Sequence, residues 1–251
     1  MHFLVDIGNS RVKWARIDPN GFVPLGSGER PGQKFEQFAD EHWAALAVPQ
    51  RVIVSNVAGP AAGKALSGWA RERWQCEVEF VEARRQGWGV RNSYIEPRRL
   101  GADRWAALVA ARQHCEGALY IVDAGTALTI DVLAADGAHQ GGLIIPGIGL
   151  MQRVLVDRAP GIRLGDNANN RGTGTLLARD TAGAVQGGTW YAAVAIIDRV
   201  AQDAEAELGV PLTRIITGGD GRKLLPLLTN EFDFQEYLVL QGIGVIATKD
   251  T

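Results

Sequence analysis

Residues 3–18 read FLVDIGNSRVKWARID, and residues 120–136 read YIVDAGTALTIDVLAAD. Each stretch is an apolar, β-favouring run that ends in Asp-x-Gly, turns, and resumes as a second β-favouring run closed by Asp. Laid over one another they pair Asp6 with Asp123, Gly8 with Gly125 and Asn9 with Thr126, about half the chain apart. A repeat on that scale predicts two copies of one α/β lobe, each opening with a strand–turn–strand unit.

The same spacing suggests chemistry. A carboxylate at the end of an apolar strand costs free energy unless something pairs with it, and a bound cation is a natural partner. Gly8 lets the backbone turn and bring its N–H groups close to phosphate oxygens. Asn9 and Ser10 can donate hydrogen bonds, while Arg11 and Lys13 supply positive charge. A lone Asp-x-Gly is more often a plain Asx turn. Two in register predict facing phosphate loops, the second built from Asp123, Gly125 and Thr126, with a divalent ion neutralising charge on the transferred group. Thr129 and Asp131 fall on the outgoing strand, and Asp131 reads as a strand residue.

Two other glycine-rich stretches fail as nucleotide motifs. Gly59-Pro60-Ala61-Ala62-Gly63-Lys64-Ala65 is one residue short of a P-loop and lacks its hydroxyl. Gly242 to Ala247 leaves no room for a following βαβ unit.

Between the repeats the pattern alternates strand and helix, which argues α/β. Helices are expected over 36–46, 64–74 and 102–114, and strands over 51–56 and 77–82. The second half should carry helices over 175–186 and 190–208, interrupted at Gly187-Gly188. A strand over 214–217, a helix over 222–228 and a closing strand over 237–240 complete the expectation. The domain boundary is expected near 115, giving lobes 1–115 and 116–251.

Gly101-Ala102-Asp103-Arg104 opens an amphipathic helix. Asp in a first turn is commonly a dipole partner. It is equally placed to receive a substrate hydroxyl proton, with Arg104 clamping an anionic group. The helix dipole would favour the ionised carboxylate. Thr217-Gly218-Gly219-Asp220 joins a strand to a helix, a turn that lets backbone approach a flat ligand.

Composition narrows the function. A net charge of -2 supplies no field for nucleic acid or a polybasic membrane patch. Cys76 and Cys115 are too few for a disulfide framework. No long apolar run or leader pattern is expected to place the chain at a membrane, so a cytoplasmic protein is expected. The four histidines lack metal or triad spacing, and the seven tryptophans read as core or pocket wall.

Taken in order, DIGNSRVK (6–13), GADR (101–104), DAGTALTID (123–131), GGLIIPG (141–147) and TGG (217–219) resemble the type III pantothenate kinase family over nearly the whole chain. The resemblance implies the actin-like fold, with two duplicated ribonuclease H-like lobes and an interlobe nucleotide cleft. It implies ATP-dependent phosphorylation of pantothenate, the first step towards coenzyme A. The ATP contacts it implies are Asp6, Ile7, Gly8, Asn9, Ser10, Arg11, Val12, Lys13, Thr126, Gly218 and Gly219. Asp103 becomes the catalytic base. Tyr94, Gly101, Ala102, Asp103, Arg104 and Thr181 become pantothenate contacts, with Arg104 on the carboxylate and Thr181 reaching from the dimer side. Asp6 stands near Mg2+, Asp123 matches the ligand of a monovalent cation, K+ or NH4+, and Gly141 to Gly147 matches a homodimer interface. The family has Thr at position 10 in many members, and the segment around Thr181 is looser than its usual pattern. Two alternatives remain at this point: a non-catalytic accessory regulator on the same fold, or another small-molecule kinase of the superfamily.

Overall fold

A computed structural model of the chain describes residues 1–30, 34–162 and 177–249. These fall into two compact units. One comprises Met1–Leu119, Leu133–Gly141 and Tyr237–Thr251, the other Tyr120–Val132 and Gly142–Glu236. The expected division is linear, into 1–115 and 116–251. A linear boundary leaves out the two segments that return to the first unit.

The first unit is built on a five-stranded sheet. Its strands are β1 (His2–Ile7), β2 (Arg11–Asp18), β3 (Gly21–Glu29), β4 (Arg51–Asn56) and β5 (Val78–Phe80), arranged β3-β2-β1-β4-β5. β1 runs antiparallel to β2 and parallel to β4. Residues alternate across the sheet, and both faces are apolar because both are covered. Phe3, Val5 and Ile7 join Val52 and Val54 on the face that receives α1 (Phe35–Trp43) and α2 (Pro60–Trp74). Aromatic rings fill that layer edge to face: Phe3 lies 5.3 Å from Trp43 and 5.2 Å from Trp74. Truncating the fully buried Trp43 to Ala would cost on the order of 3–5 kcal/mol. The expectation of core tryptophans thus holds for Trp14, Trp43, Trp69 and Trp74.

A short hairpin, β6 (Gln86–Gly87) with β7 (Val90–Arg91), and a 3-10 turn at Pro97–Arg99 follow in what reads as loop. The chain then enters α3 (Ala102–His114), whose bounds match the expected ones.

The second sheet comprises β8 (Ala118–Ala124), β9 (Ala127–Leu133), β10 (His139–Pro146), β11 (Leu212–Thr217) and β12 (Asp233–Phe234). α4 (Ile148–Arg158), α5 (Thr181–Leu208) and α6 (Gly221–Leu224) join it before α7 (Leu238–Thr248) ends the described chain. Its strand order is β10-β9-β8-β11-β12. In each half the order is therefore third, second, first, fourth, fifth, and the duplication expected from the paired hairpins is present in the topology. The Tyr120 hydroxyl donates to the Ile197 carbonyl at 2.8 Å, tying β8 to α5 inside the second unit.

Four expectations require correction. The helices over 175–186 and 190–208 are one helix, α5, which passes through Gly187 and Gly188. Buried Val185, Thr189, Ala193, Ile197 and Ala201 recur every fourth residue, and that packed stripe outweighs the glycine penalty. Residues 175 and 176 lie outside the described residues. The helix over 222–228 shortens to α6 followed by a 3-10 turn at Leu225–Leu227. The strand over 237–240 is instead the start of α7. Its β-branched residues suggest a strand, but Gly242 lets α7 lie backbone to backbone on α3, and a Cβ there would come within 1.9 Å of the Ala106 carbonyl oxygen. Lastly, β3, β10 and α4 occupy stretches for which no element was expected. Among the described residues no helix is long and apolar enough to cross a membrane.

Candidate active site

Three groups of the expected residues can be followed from the backbone outward.

The first is the turn from β1 to β2. The Gly8 N–H donates to the Arg11 carbonyl at 2.9 Å, closing the turn. A Cβ on Gly8 would lie 3.2 Å from that same oxygen. Asp6 stands opposite Lys13 across the β1–β2 ladder and beside Ser55 on β4. Asn9, Ser10 and Arg11 are exposed. Strand β3 supports the turn from behind: the Arg30 N–H donates to the Ser10 carbonyl at 3.1 Å, and the Arg30 guanidinium to the Asn9 carbonyl at 3.2 Å. Arg11 donates to the Ser27 hydroxyl at 2.9 Å. Ile7 and Val12 are fully buried, so only their backbone is available to a ligand.

The second group opens α3. Gly101 precedes the helix, and a Cβ there would come within 2.5 Å of Asp103 Oδ1. The missing side chain lets the Asp103 carboxylate fold back over the helix start, where it accepts from the Arg104 N–H at 2.7 Å. Arg104 is 6% exposed, an unusual burial for a guanidinium. It donates to the Tyr94 hydroxyl at 2.8 Å and lies 5.7 Å from that ring's centre. Guanidinium and phenol are thereby brought together from two stretches of chain, while the Asp103 carboxylate bonds the backbone at the helix start.

The loop carrying Tyr94 is fixed by residues that the sequence did not single out. Asn92 is buried, accepts from the Tyr94 N–H at 3.0 Å and donates to the Pro97 carbonyl at 3.1 Å. Arg85 donates to the Tyr94 and Ile95 carbonyls at 2.9 and 2.8 Å. The turn from β9 to β10 also docks here. Arg91 donates to Asp136 at 2.6 Å, and its N–H to the Gly137 carbonyl at 2.9 Å. The Ala138 N–H and Arg91 together hold the Asp136 carboxyl below its ordinary range. The next residue, His139, is 2% exposed and stacks on Tyr94 with centroids 6.1 Å apart and planes at 18°. No local signal marks it: a lone histidine at a strand start is usually core.

The third group lies in the second unit. The Gly125 N–H donates to the Ala127 carbonyl at 3.0 Å, a turn one residue tighter than that at Gly8. Two glycine backbones crowd this turn. Gly218, at a φ of +93, would place a Cβ 2.5 Å from the Ala124 carbonyl and from Asp123 Oδ1. Gly147 would place one 2.2 Å from the Gly125 carbonyl oxygen and 2.6 Å from that of Thr126. The Asp220 N–H donates to the Ala124 carbonyl at 3.0 Å, so the Thr217-Gly218-Gly219-Asp220 turn is seated on the Asp123 turn. Asp131 is a buried residue of β9.

Thr181 is the first residue of α5, behind the capping carboxylate of Asp180, which accepts from Gly183 at 2.8 Å. It borders a groove of about 630 Å³ lined by Met151, Val154 and Leu155 of α4 and by Val185 and Thr189 of α5. The two rejected motifs are helical: Pro60 begins α2, and Gly242 to Ala247 lie inside α7.

A cation at Asp123 would meet a hard carboxylate donor beside the Ala124 carbonyl, which also accepts from the Asp220 N–H. Among the described residues no cluster of three or more His, Cys, Asp or Glu could hold a metal. One carboxylate with a carbonyl oxygen suits a hard ion of low charge.

The family model for type III pantothenate kinases matches residues 2–203. A type III pantothenate kinase of Nitrosococcus oceani is 44% identical, across 100% of this chain and 95% of that protein. Among solved structures, a putative Baf family transcriptional activator from Campylobacter jejuni superposes with a TM-score of 0.59 at 21% identity, covering 97% of this chain and 96% of that one. A putative 2-dehydro-3-deoxygalactonokinase from Sinorhizobium meliloti gives 0.59 at 15% identity, over 98% of both. At such identities the structures speak to fold alone, and the fold is the duplicated actin-like one of the small-molecule kinases.

Proposed function

The chain belongs to the type III pantothenate kinase family, and on that premise we propose that Asp103 is the general base in an ATP-dependent phosphorylation of pantothenate. The reaction gives 4'-phosphopantothenate, the first step towards coenzyme A. Arg104 is the observation that carries the substrate assignment. Its guanidinium is 6% exposed and bonded to the Tyr94 hydroxyl at 2.8 Å beside the start of α3, which holds its fork in one orientation. The pantothenate carboxylate is the anion it receives, bound in the forked geometry arginine favours. Tyr94, Gly101 and Ala102 complete the contacts.

Asp103 takes the proton of the terminal hydroxyl as that oxygen bonds to the γ-phosphorus and the bond to ADP breaks. ATP is used with a divalent metal; Asp6 would hold that ion, Mg2+, which would offset phosphate charge when bound. Asn9, Ser10, Arg11 and Lys13 receive phosphate oxygens by their side chains, while the bare backbone of Gly8, between Ile7 and Val12, lets those oxygens come close to the turn. Thr126 supplies the second loop contact, and Gly218 and Gly219 offer bare backbone to the adenosine. Asp123 would hold K+ or NH4+, whose charge, when bound, offsets that of the phosphates.

The groove between α4 and α5 supports a homodimer. It is apolar, and Ile144 and Tyr191 of the same unit are 65% and 55% exposed. A second copy covers it, with Gly141 to Gly147 at the interface and Thr181 lining the partner's substrate pocket. ATP and a small water-soluble acid as substrates fit a cytoplasmic enzyme.

The test is ADP release coupled to a spectroscopic readout, with pantothenate set against a panel of sugars and short acids. Turnover confined to pantothenate supports the proposal. Faster turnover of a sugar or of acetate contradicts it.

A further inference from the structure

Tyr94 and Arg104 can clamp a substrate only if the tyrosine ring is held still, and the ring sits on a loop. The residues 136–139 form a platform under that loop. Gly137 is pressed against the Gly89 carbonyl, where any Cβ would lie 2.0 Å away, and Ala138 makes a parallel bridge with Arg91. His139 extends this platform to the tyrosine at two points. Its ring lies nearly parallel to that of Tyr94, and its Nδ1 lies 3.3 Å from the hydroxyl of Ser93, the residue before it. A flat side chain buried to 2% exposure gives the tyrosine a wall with little freedom of its own.

We infer that His139 is a positioning residue for pantothenate. It fixes the Tyr94 ring so that the phenol and the Arg104 guanidinium meet the carboxylate end of the substrate in one geometry. It touches neither the hydroxyl that reacts nor the nucleotide, so its loss acts on substrate affinity. This rests on the assignment of Arg104 and Tyr94 to pantothenate.

The experiment is steady-state kinetics on three variants of the full-length enzyme. His139→Ala removes both contacts, His139→Phe keeps the flat wall, and Arg104→Gln tests the assignment beneath. The expected result for His139→Ala is a KM for pantothenate raised about fivefold to tenfold, the scale of one lost aromatic pair. Its kcat and its KM for ATP stay within about twofold of the parent. His139→Phe should recover most of that loss. An unchanged pantothenate KM in His139→Ala, or equal falls in kcat and both affinities, overturns the inference. If Arg104→Gln raises the pantothenate KM and His139→Ala does not, the inference alone fails. If Arg104→Gln leaves it unchanged, the substrate assignment fails and takes the inference with it. Should His139→Ala not fold, His139→Gln carries the same comparison, retaining a hydrogen-bonding group without the wall. A raised pantothenate KM then supports the inference, and an unchanged one overturns it.

Discussion

The two Asp-x-Gly turns share a sequence pattern, yet the first closes on the third residue after its glycine and the second on the second residue. The Gly8 turn closes on the Arg11 carbonyl and the Gly125 turn on that of Ala127, at 2.9 and 3.0 Å. Around the first, the chain leaves Asn9, Ser10 and Arg11 in the open. Around the second, Gly147 and Gly218 press bare backbone against the turn from two other segments. One copy leaves its side chains exposed, and the other is seated against main chain. Duplication thus preserved the strand order and the acidic residue, while the glycines nearby decided what each turn can do.

The largest effect is expected where that seat is filled. Gly218→Ala would add a Cβ 2.5 Å from the Asp123 carboxylate at a positive φ, costing about 3 kcal/mol. Thermal denaturation should show a fall on the order of 5–10 °C, with nucleotide affinity lost as well. Gly147→Ala should behave alike. Replacing K+ by Na+ comes next, depressing turnover by roughly an order of magnitude in the coupled assay. Indifference to the ion would remove Asp123 from cation binding. Gly8→Ala is expected to be mild for the fold, within about 1 kcal/mol, since its nearest neighbour would be 3.2 Å away. It should instead raise the KM for ATP about tenfold by holding phosphate off the backbone. A melt as damaged as that of Gly218→Ala would erase the contrast between the turns. Smallest is Arg11→Gln, which removes an exposed pair with Glu29 at 3.7 Å. Stability should move by less than about 0.5 kcal/mol, while the KM for ATP rises a few-fold.

What could be read in the sequence follows the same division between local and distant causes. Both hairpins were legible because an apolar run and its turn residues are neighbours in the chain. So were the bounds of α3, although residues 104–111 are buried on every side. Strand β3 was hidden by Pro24 and by Gly26 and Gly28. The proline is tolerated beside the register shift at Trp14/Ala15 on an edge strand. The two glycines make room for rings, since their Cβ atoms would meet Trp14 at 2.7 Å and Phe38 at 2.5 Å. Helix α7 was hidden because the reason for Gly242 lies on α3. In the candidate site, Tyr94 and Arg104 carried a recognisable pattern. His139 did not, because its partners Ser93 and Tyr94 lie about 45 residues away in the chain, whereas the Asx turn of Asn92 on Tyr94 is a local signal.

Asp103 as the base is tested most directly by Asp103→Asn, which keeps shape and removes the proton acceptor. With pantothenate and ATP at saturation, kcat should fall on the order of 10³-fold. ATP affinity, measured by calorimetry on the same preparation, should stay within about twofold. An Asn variant that retains most of its kcat would contradict the assignment outright.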